Sequence, residues 1–164
     1  MKKKIVQLFE QVQKIPYRVC KFDKKLINPK ISYGDCRHKS ELLKLLLREK
    51  GFEVKEIKVI FDWNDLRIPK SILGILKKSS TVWPHNSLKV KVKNKWVKVD
   101  CTWNPELEKK GFPVTKKWDG KSDTKQITEG KLKFYQKEKY VDKIKIFKEE
   151  ALKFADELNE YLSS

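Results

Sequence analysis

The segment from Gly34 to Gly51 constrains the fold of this chain more than any other, because its leucines recur at the spacing of an amphipathic helix. Asp35 can cap the first backbone amides of that helix, and Gly51 can adopt the left-handed conformation that ends one. Cys36 lies in the first turn, at the head of the apolar face. Because the N-terminal amides of a helix stabilise an anion, this position favours a reactive thiolate at Cys36.

Apolar spacing also predicts a helix at each end of the chain. A helical pattern begins at Ile5 and stops before Pro16, and a continuous apolar face runs from Ile144 to Leu162. Residues 54–61 alternate at period two, which predicts a β-strand.

Four other stretches carry weaker signals. Residues 17–33 predict an irregular approach to the cysteine helix, and residues 62–84 predict a long connection with a short helix around Ile72 to Leu76. Turn-forming residues between 102 and 130 predict a surface excursion, and residues 131–141 fit a helix or a strand equally well.

Residues 85–103 predict a β-hairpin, in which Asn94 and Lys95 are expected to form the turn. That turn would place Lys89 opposite Asp100, so His85 would lie four residues away, about 13 Å along the strand at roughly 3.3 Å per residue. A contact between His85 and Asp100 then requires a longer loop, a bulge near Asn86 and Ser87, or a curvature that shifts the register. We expect such an irregularity.

The length of 164 residues predicts a single domain, and the net charge is +17. Such a charge would attract nucleic acid, acidic proteins or anionic membrane surfaces. The lysines are mostly scattered singly along the chain, which is typical of a solvated surface, so nucleic acid is a partner that the pattern allows but does not favour.

The three cysteines are an odd number, and no signal peptide or apolar run of membrane-spanning length accompanies them. We therefore expect free thiols in a reducing, cytoplasmic compartment and no membrane partner. The oligomeric state is left open.

Three residues could carry thiol chemistry together. Cys36 can act as the nucleophile, His85 as the base that takes its proton, and Asp100 as the carboxylate that orients the imidazole ring.

Residues 30–103 resemble the core of the transglutaminase-like superfamily, which is related to papain. The resemblance rests on Gly34-Asp35-Cys36, the leucine-rich helix, His85, and the strand that ends at Asp100, in that order. It implies an α+β fold with a papain-like, transglutaminase-like core, in which a cysteine-bearing helix packs against an antiparallel sheet, with a further helix at each end of the chain.

The resemblance also implies a Cys36–His85–Asp100 triad that breaks or exchanges amide bonds of a peptide or protein through a thioester acyl-enzyme. We expect a peptidase-like hydrolase more than a crosslinking acyltransferase. The oxyanion hole should include the backbone N–H of Cys36. The aromatic residues expected to bind substrate are Tyr33, Trp83 and Trp103.

Two departures from the family pattern bear on substrate preference. Family members usually follow the histidine with a small residue and an aromatic, whereas this chain has Asn86 and Ser87. Cys101 follows the aspartate, where a proline or a small residue is common.

Each candidate also has a plainer interpretation. Cys36 could be a small buried hydrophobe, His85 a strand-end residue and Asp100 a partner of nearby lysines. His38 points to another helix face and is expected at the surface. The tryptophans could be core residues, site walls or a platform for stacking bases.

No pair among the potential metal ligands has the usual zinc spacing, so we expect neither a metal nor a cofactor. These residues are Cys20, Cys36, His38, His85 and Cys101. The alternative to an enzyme is a non-catalytic basic module on the same scaffold that binds nucleic acid or an acidic protein.

Overall fold

Four helices and four strands make up the regular structure of a computed structural model, which describes residues 1–20 and 32–164. The helices are α1 (Lys2–Gln13), α2 (Cys36–Glu49), α3 (Lys70–Leu73) and α4 (Lys148–Ser163). The strands are β1 (Val54–Asp62), β2 (Val82–Val92), β3 (Lys95–Val99) and β4 (Lys133–Gln136). Short 3₁₀ turns cover Trp63–Asp65, Pro105–Lys110 and Lys137–Lys139.

The strands form one antiparallel sheet in the order β3-β2-β1-β4. Directly paired residues share a face, so the pairs Val54–Val90 and Val90–Val97 place three valines on the same side. The leucine-rich face of α2 packs on this side together with the apolar face of α1. The cysteine-bearing helix therefore lies against the antiparallel sheet.

The opposite face of the sheet has its own core. Ile57, Val59 and Phe61 alternate with the residues on the first face, and Phe154 and Leu158 of α4 pack against them. The sheet is thus covered by α1 and α2 on one side and by α4 on the other.

Local sequence signals located most of these elements. The predicted N-terminal helix, cysteine helix and first strand are confirmed as α1, α2 and β1. The C-terminal helix begins later than its apolar pattern, because Phe147 is the N-cap residue of α4. The short helix expected around Ile72 to Leu76 is α3, and the ambiguous stretch contains strand β4 and a 3₁₀ turn.

The prediction of a surface excursion between residues 102 and 130 was wrong. This segment has little regular structure, but its large apolar side chains fill the core. The buried residues are Trp103, Leu107, Phe112, Val114, Trp118 and Ile127. Most of the irregular stretch expected at 17–33 lies outside the described residues.

The predicted position of the hairpin turn was also wrong. Lys93 and Asn94, not Asn94 and Lys95, connect β2 to β3, and both have positive φ angles, of 48° and 63°. Two successive positive φ angles are characteristic of the type I′ turn of a tight hairpin. The shift of the turn by one residue changes the register by two, and Leu88 pairs with Val99.

The prediction of a bulge, a longer loop or a curvature that shifts the register was wrong. The register of β2 with β1 runs without a break from Val82 to Val90, and the hairpin turn has two residues. Continuing the β2–β3 register places Asp100 opposite Ser87, two residues from His85 rather than four. Two residues are roughly 7 Å along a strand, which two side chains on one face can span.

Within the described ranges, no helix is both long enough and apolar enough to cross a bilayer.

Candidate active site

Asp35 caps the N-terminus of α2, whose first helical residue is Cys36. Its Oδ1 accepts hydrogen bonds from the backbone N–H and the Nε of Arg37, both at 3.0 Å, and its Oδ2 accepts from Arg37 Nη2 at 2.7 Å. Burial disfavours the carboxylate, but the bonds and charge of Arg37 outweigh it and lower the pKa of Asp35. The cap is therefore ionised and rigid.

His38 completes this cap. The backbone N–H of Asp35 donates to His38 Nδ1 at 3.3 Å, which forms a capping box around the first turn. The prediction of a surface role for His38 was wrong, since its ring is buried. Sequence analysis missed the box because the usual residue at this position is Glu or Gln.

His85 and Asp100 are in direct contact. His85 Nε2 lies 2.8 Å from Asp100 Oδ2, and both side chains are buried. Cys36 and His85 line the same cleft. The structure therefore brings Cys36, His85 and Asp100 together.

Two threonines that sequence analysis missed hold Asp100, one through its carboxylate and the other through its backbone N–H. Thr102 donates to Asp100 Oδ1 from its backbone N–H at 3.0 Å and from its hydroxyl at 2.5 Å. Thr124 Oγ1 accepts from the backbone N–H of Asp100 at 2.8 Å. The spacing of Asp100 and Thr102 is that of an Asx turn, a local signal that could have identified Thr102.

The charges around His85 favour its protonated form, the imidazolium. Burial by itself lowers the pKa of His85, but the charges and hydrogen bonds of Asp100 and Cys36 outweigh it and raise the pKa to about 10. Burial raises the pKa of Asp100, but His85 and Thr102 overcome this effect and lower it. At neutral pH the site therefore contains a protonated His85 and an ionised Asp100.

Lys39 joins the three segments that surround the site. Its side chain is completely buried, and its Nζ donates to the carbonyl oxygens of Gln13, Ile15 and Thr102, at 3.1, 2.7 and 2.7 Å. Burial lowers the pKa of Lys39 to about 8. This ammonium group fixes α2 relative to the segment that carries Asp100.

A cleft of about 250 Å³ opens onto Cys36 and His85. Its walls combine aromatic side chains with the polar groups of Asp35, Arg37, Lys58 and Asn86. Lys58 Nζ donates to Asn86 Oδ1. The indole N–H of Trp63 has no hydrogen-bond partner within the described residues, so this wall contains a buried donor. The aromatic lining residues are Tyr17, Phe61, Trp63 and Trp83.

Of the three aromatic residues predicted to bind substrate, Trp83 alone lines this cleft in the described part of the chain. Trp103 is a core residue, because its ring packs against Tyr17 and Phe112 and its Nε1 donates to Ile127 O at 2.9 Å. Tyr33 is half-exposed, with the Arg18 guanidinium 5.2 Å from its ring centroid.

The donor atoms of Cys20, Asp35 and His38 all lie within 4.8 Å of one another, a spacing at which a metal ion could bind. However, Arg37 already bonds both carboxylate oxygens of Asp35, and its positive charge opposes a bound cation. The helix cap accounts for this arrangement. Sequence analysis missed it because Cys20 is far from the other two residues along the chain.

No disulfide links the three cysteines. Cys101 is buried in the core, and burial raises the pKa of its thiol to about 12. Cys36 is partly accessible at the cleft. Cys36 and Cys101 therefore differ in their access to solvent.

No protein-family model matches this chain, and neither the curated proteins nor the solved structures contain a match.

Proposed function

We propose that this protein is a cysteine-dependent amide hydrolase or acyltransferase that works through a thioester acyl-enzyme. In this proposal Cys36 is the nucleophile, His85 the acid and base, and Asp100 the orienting carboxylate. The observation that carries it is the 2.8 Å contact between buried His85 and Asp100, beside a cysteine at the start of a helix. This combination activates a thiol and also holds the group that must move its proton.

In acylation, Cys36 Sγ forms a C–S bond with the carbonyl carbon of the substrate, and the carbonyl π electrons move to oxygen. The backbone N–H of Cys36 has no acceptor within its own helix, so it can donate to this oxyanion. The electrons then return and the C–N bond breaks, while the imidazolium of His85 gives its proton to the leaving amine.

In deacylation, neutral His85 takes a proton from water or from a primary amine as that molecule attacks the thioester carbon. The C–S bond breaks, which restores the Cys36 thiolate and the His85 imidazolium. We favour water, and therefore a peptidase-like hydrolase.

The proposal includes a papain-like, transglutaminase-like core. It is supported by the order of Cys36, His85 and Asp100 along the chain and by their places on a helix start, a strand and the end of the next strand. The chemistry needs a reduced thiol, which suits a cytoplasmic location.

A generic acyl donor tests the proposal without knowledge of the natural substrate. With p-nitrophenyl acetate, the ester C–O bond breaks and an acetyl thioester forms on Cys36. We expect a burst of about one p-nitrophenolate per chain, followed by slower turnover. Cys36→Ala should abolish the burst, and His85→Gln should slow it by about 100-fold. Mass spectrometry after acid quenching should locate the acetyl group on Cys36.

Cys20→Ser is the matched control, because it removes a thiol near the same helix and should leave the burst intact. An equal burst in Cys36→Ala, or no burst in the unaltered protein, would overturn the proposal. Adding a primary amine separates the two outcomes of deacylation. Little change in turnover supports a hydrolase, whereas a strong acceleration with amide product indicates an acyltransferase.

A further inference from the structure

Three lysines stand side by side across three strands of the sheet. Lys55 of β1 pairs with Lys89 of β2, and Lys89 pairs in turn with Lys98 of β3. We call Lys55, Lys89 and Lys98 the lysine row. Directly paired residues have Cβ atoms about 4.5–5.5 Å apart, and like charges at that distance destabilise a sheet. The lysine row therefore opposes folding unless anions neutralise it.

The described carboxylates neutralise the lysine row only in part. Asp123 Oδ2 lies 3.3 Å from Lys98 Nζ. Among residues 1–20 and 32–164, no carboxylate lies within 4.0 Å of the ammonium group of Lys55 or Lys89. Lys93, Lys95 and Lys121 add further positive charge on the same hairpin and the nearby loop, whereas Lys91 is paired with Glu53 at 2.9 Å. This surface therefore has an unbalanced positive charge.

Two aromatic rings lie among these ammonium groups. Lys55 Nζ is 4.3 Å from the ring centroid of Trp96, and Lys98 Nζ is 4.8 Å from that of Phe134. Both rings are partly exposed. Two grooves, of about 350 and 740 Å³, share Lys89 and Trp96 as lining residues and give access to the row.

We propose that the lysine row and the two rings beside it form a surface that binds single-stranded nucleic acid, with phosphates at the lysine row and bases stacked on Trp96 and Phe134. Phosphates would remove the repulsion that the folded chain leaves uncompensated. Bases of an unpaired strand can reach the rings, whereas those of a duplex are stacked on each other. The proposal is independent of the thiol chemistry, because none of these residues lines the cleft at Cys36.

The rings distinguish this partner from an acidic protein. Carboxylates need only the ammonium groups, and for them the aromatic rings would add nothing specific. Exposed rings interleaved with lysines are the combination that binds single strands with little sequence preference, through stacking together with charge.

Fluorescence anisotropy with a fluorescein-labelled oligothymidylate, an oligouridylate and a duplex of equal length tests the proposal. We expect both single strands to bind more tightly than the duplex, and affinity to fall steeply from about 50 to about 200 mM NaCl. Lys55→Gln with Lys89→Gln should weaken binding at least tenfold and reduce the slope of log K against log salt by about 1.4. Trp96→Leu should weaken binding about tenfold with an unchanged slope.

The matched control is Lys109→Gln with Lys153→Gln, which removes two charges from exposed positions outside the row and should change affinity less than about twofold. Lys55→Gln with Lys89→Gln removes repulsion between the lysines. This double variant should therefore unfold at the same urea concentration as the unaltered protein or a higher one, so a loss of binding would not reflect unfolding. Cys36→Ala should bind as tightly as the unaltered protein.

Three results would overturn the proposal. The control variant Lys109→Gln with Lys153→Gln could lose as much affinity as Lys55→Gln with Lys89→Gln, the protein could prefer the duplex, or Trp96→Leu could bind with unchanged affinity. Displacement of the oligonucleotide by polyglutamate, combined with no effect of Trp96→Leu, would indicate an acidic protein partner instead.

Discussion

At Cys36, two groups act on the same sulfur atom. Cys36 lies in the first turn of α2, where the helix dipole favours an anion, and it shares a cleft with the protonated ring of His85. Cys101 is only one residue from Asp100, yet it is buried and its thiol has a pKa of about 12. Reactivity should therefore differ sharply between the two thiols.

Alkylation measures this difference. At mildly acidic pH, iodoacetamide should label Cys36 at about one equivalent per chain and leave Cys101 unmodified, as determined by peptide mapping. His85→Ala should slow the labelling of Cys36 by tenfold or more, because the imidazolium that stabilises the thiolate is lost. Cys20→Ser should not change the rate at Cys36. Equal rates in the unaltered protein and in His85→Ala would contradict the activated pair.

The raised pKa of His85 makes the stability of the protein depend on pH. An imidazole in the unfolded chain has its ordinary pKa of 6.5, whereas the folded value is about 10. The folded state therefore holds an extra proton between these values. The stability contributed by the imidazolium is fully present below pH 6.5 and is lost as the pH rises through 10, by about 1 kcal/mol per pH unit.

Urea unfolding of the unaltered protein and of His85→Gln measures this effect. The difference between their free energies of unfolding should shrink from about pH 6.5 to about pH 10. Lys39 is present in both proteins, so its own titration cancels in the difference. A difference that stays constant with pH would show that His85 is neutral in the folded state.

Among the elements, the tight turn between β2 and β3 determines where the site residues meet. With Lys93 and Asn94 as the turn, the valines of β2 and β3 pair on the face that α2 covers. The same register brings Asp100 within side-chain reach of His85. One hairpin thus supplies both the packing surface of the cysteine helix and two residues of the candidate site.

Lys39 holds these elements together, and its removal should be costly. Lys39→Met leaves three buried carbonyl oxygens without their donor, so we expect a loss of about 3 kcal/mol in the free energy of unfolding. Lys50→Met, at an exposed position after the same helix, should change stability by less than about 0.5 kcal/mol. Equal urea midpoints for the two variants would contradict the structural role of Lys39.

At the scale of the whole molecule, the net charge of +17 is the dominant property. Part of it is concentrated in the lysine row and its neighbours, and the rest is spread over the surface. Such a charge favours encounters with polyanions, and it also makes the folded state repel itself.

Screening should therefore stabilise this protein. Between about 10 and about 300 mM NaCl we expect the thermal midpoint to rise by about 2–4 °C, equivalent to about 1 kcal/mol. KCl at the same ionic strength should produce the same rise, because screening depends on ionic strength. A midpoint that falls with added salt would mean that attractive ion pairs outweigh the repulsion.

The sequence by itself determined the elements whose signals are local. The cap at Asp35, the leucine spacing of α2 and the alternation of β1 depend on residues a few positions apart, and all are observed. Cys36, His85 and Asp100 were also identified as candidates from the sequence, because their residue types and their order along the chain can be seen without a structure.

Only the tertiary structure decided the register and the buried polar groups. Local propensity did not distinguish a turn at Lys93 and Asn94 from one at Asn94 and Lys95, because valine packing against α2 and pairing with β1 select the register. Lys39 resembles a surface residue until carbonyl oxygens distant in sequence surround its ammonium group. The lysine row likewise exists only because three strands place separate lysines next to one another.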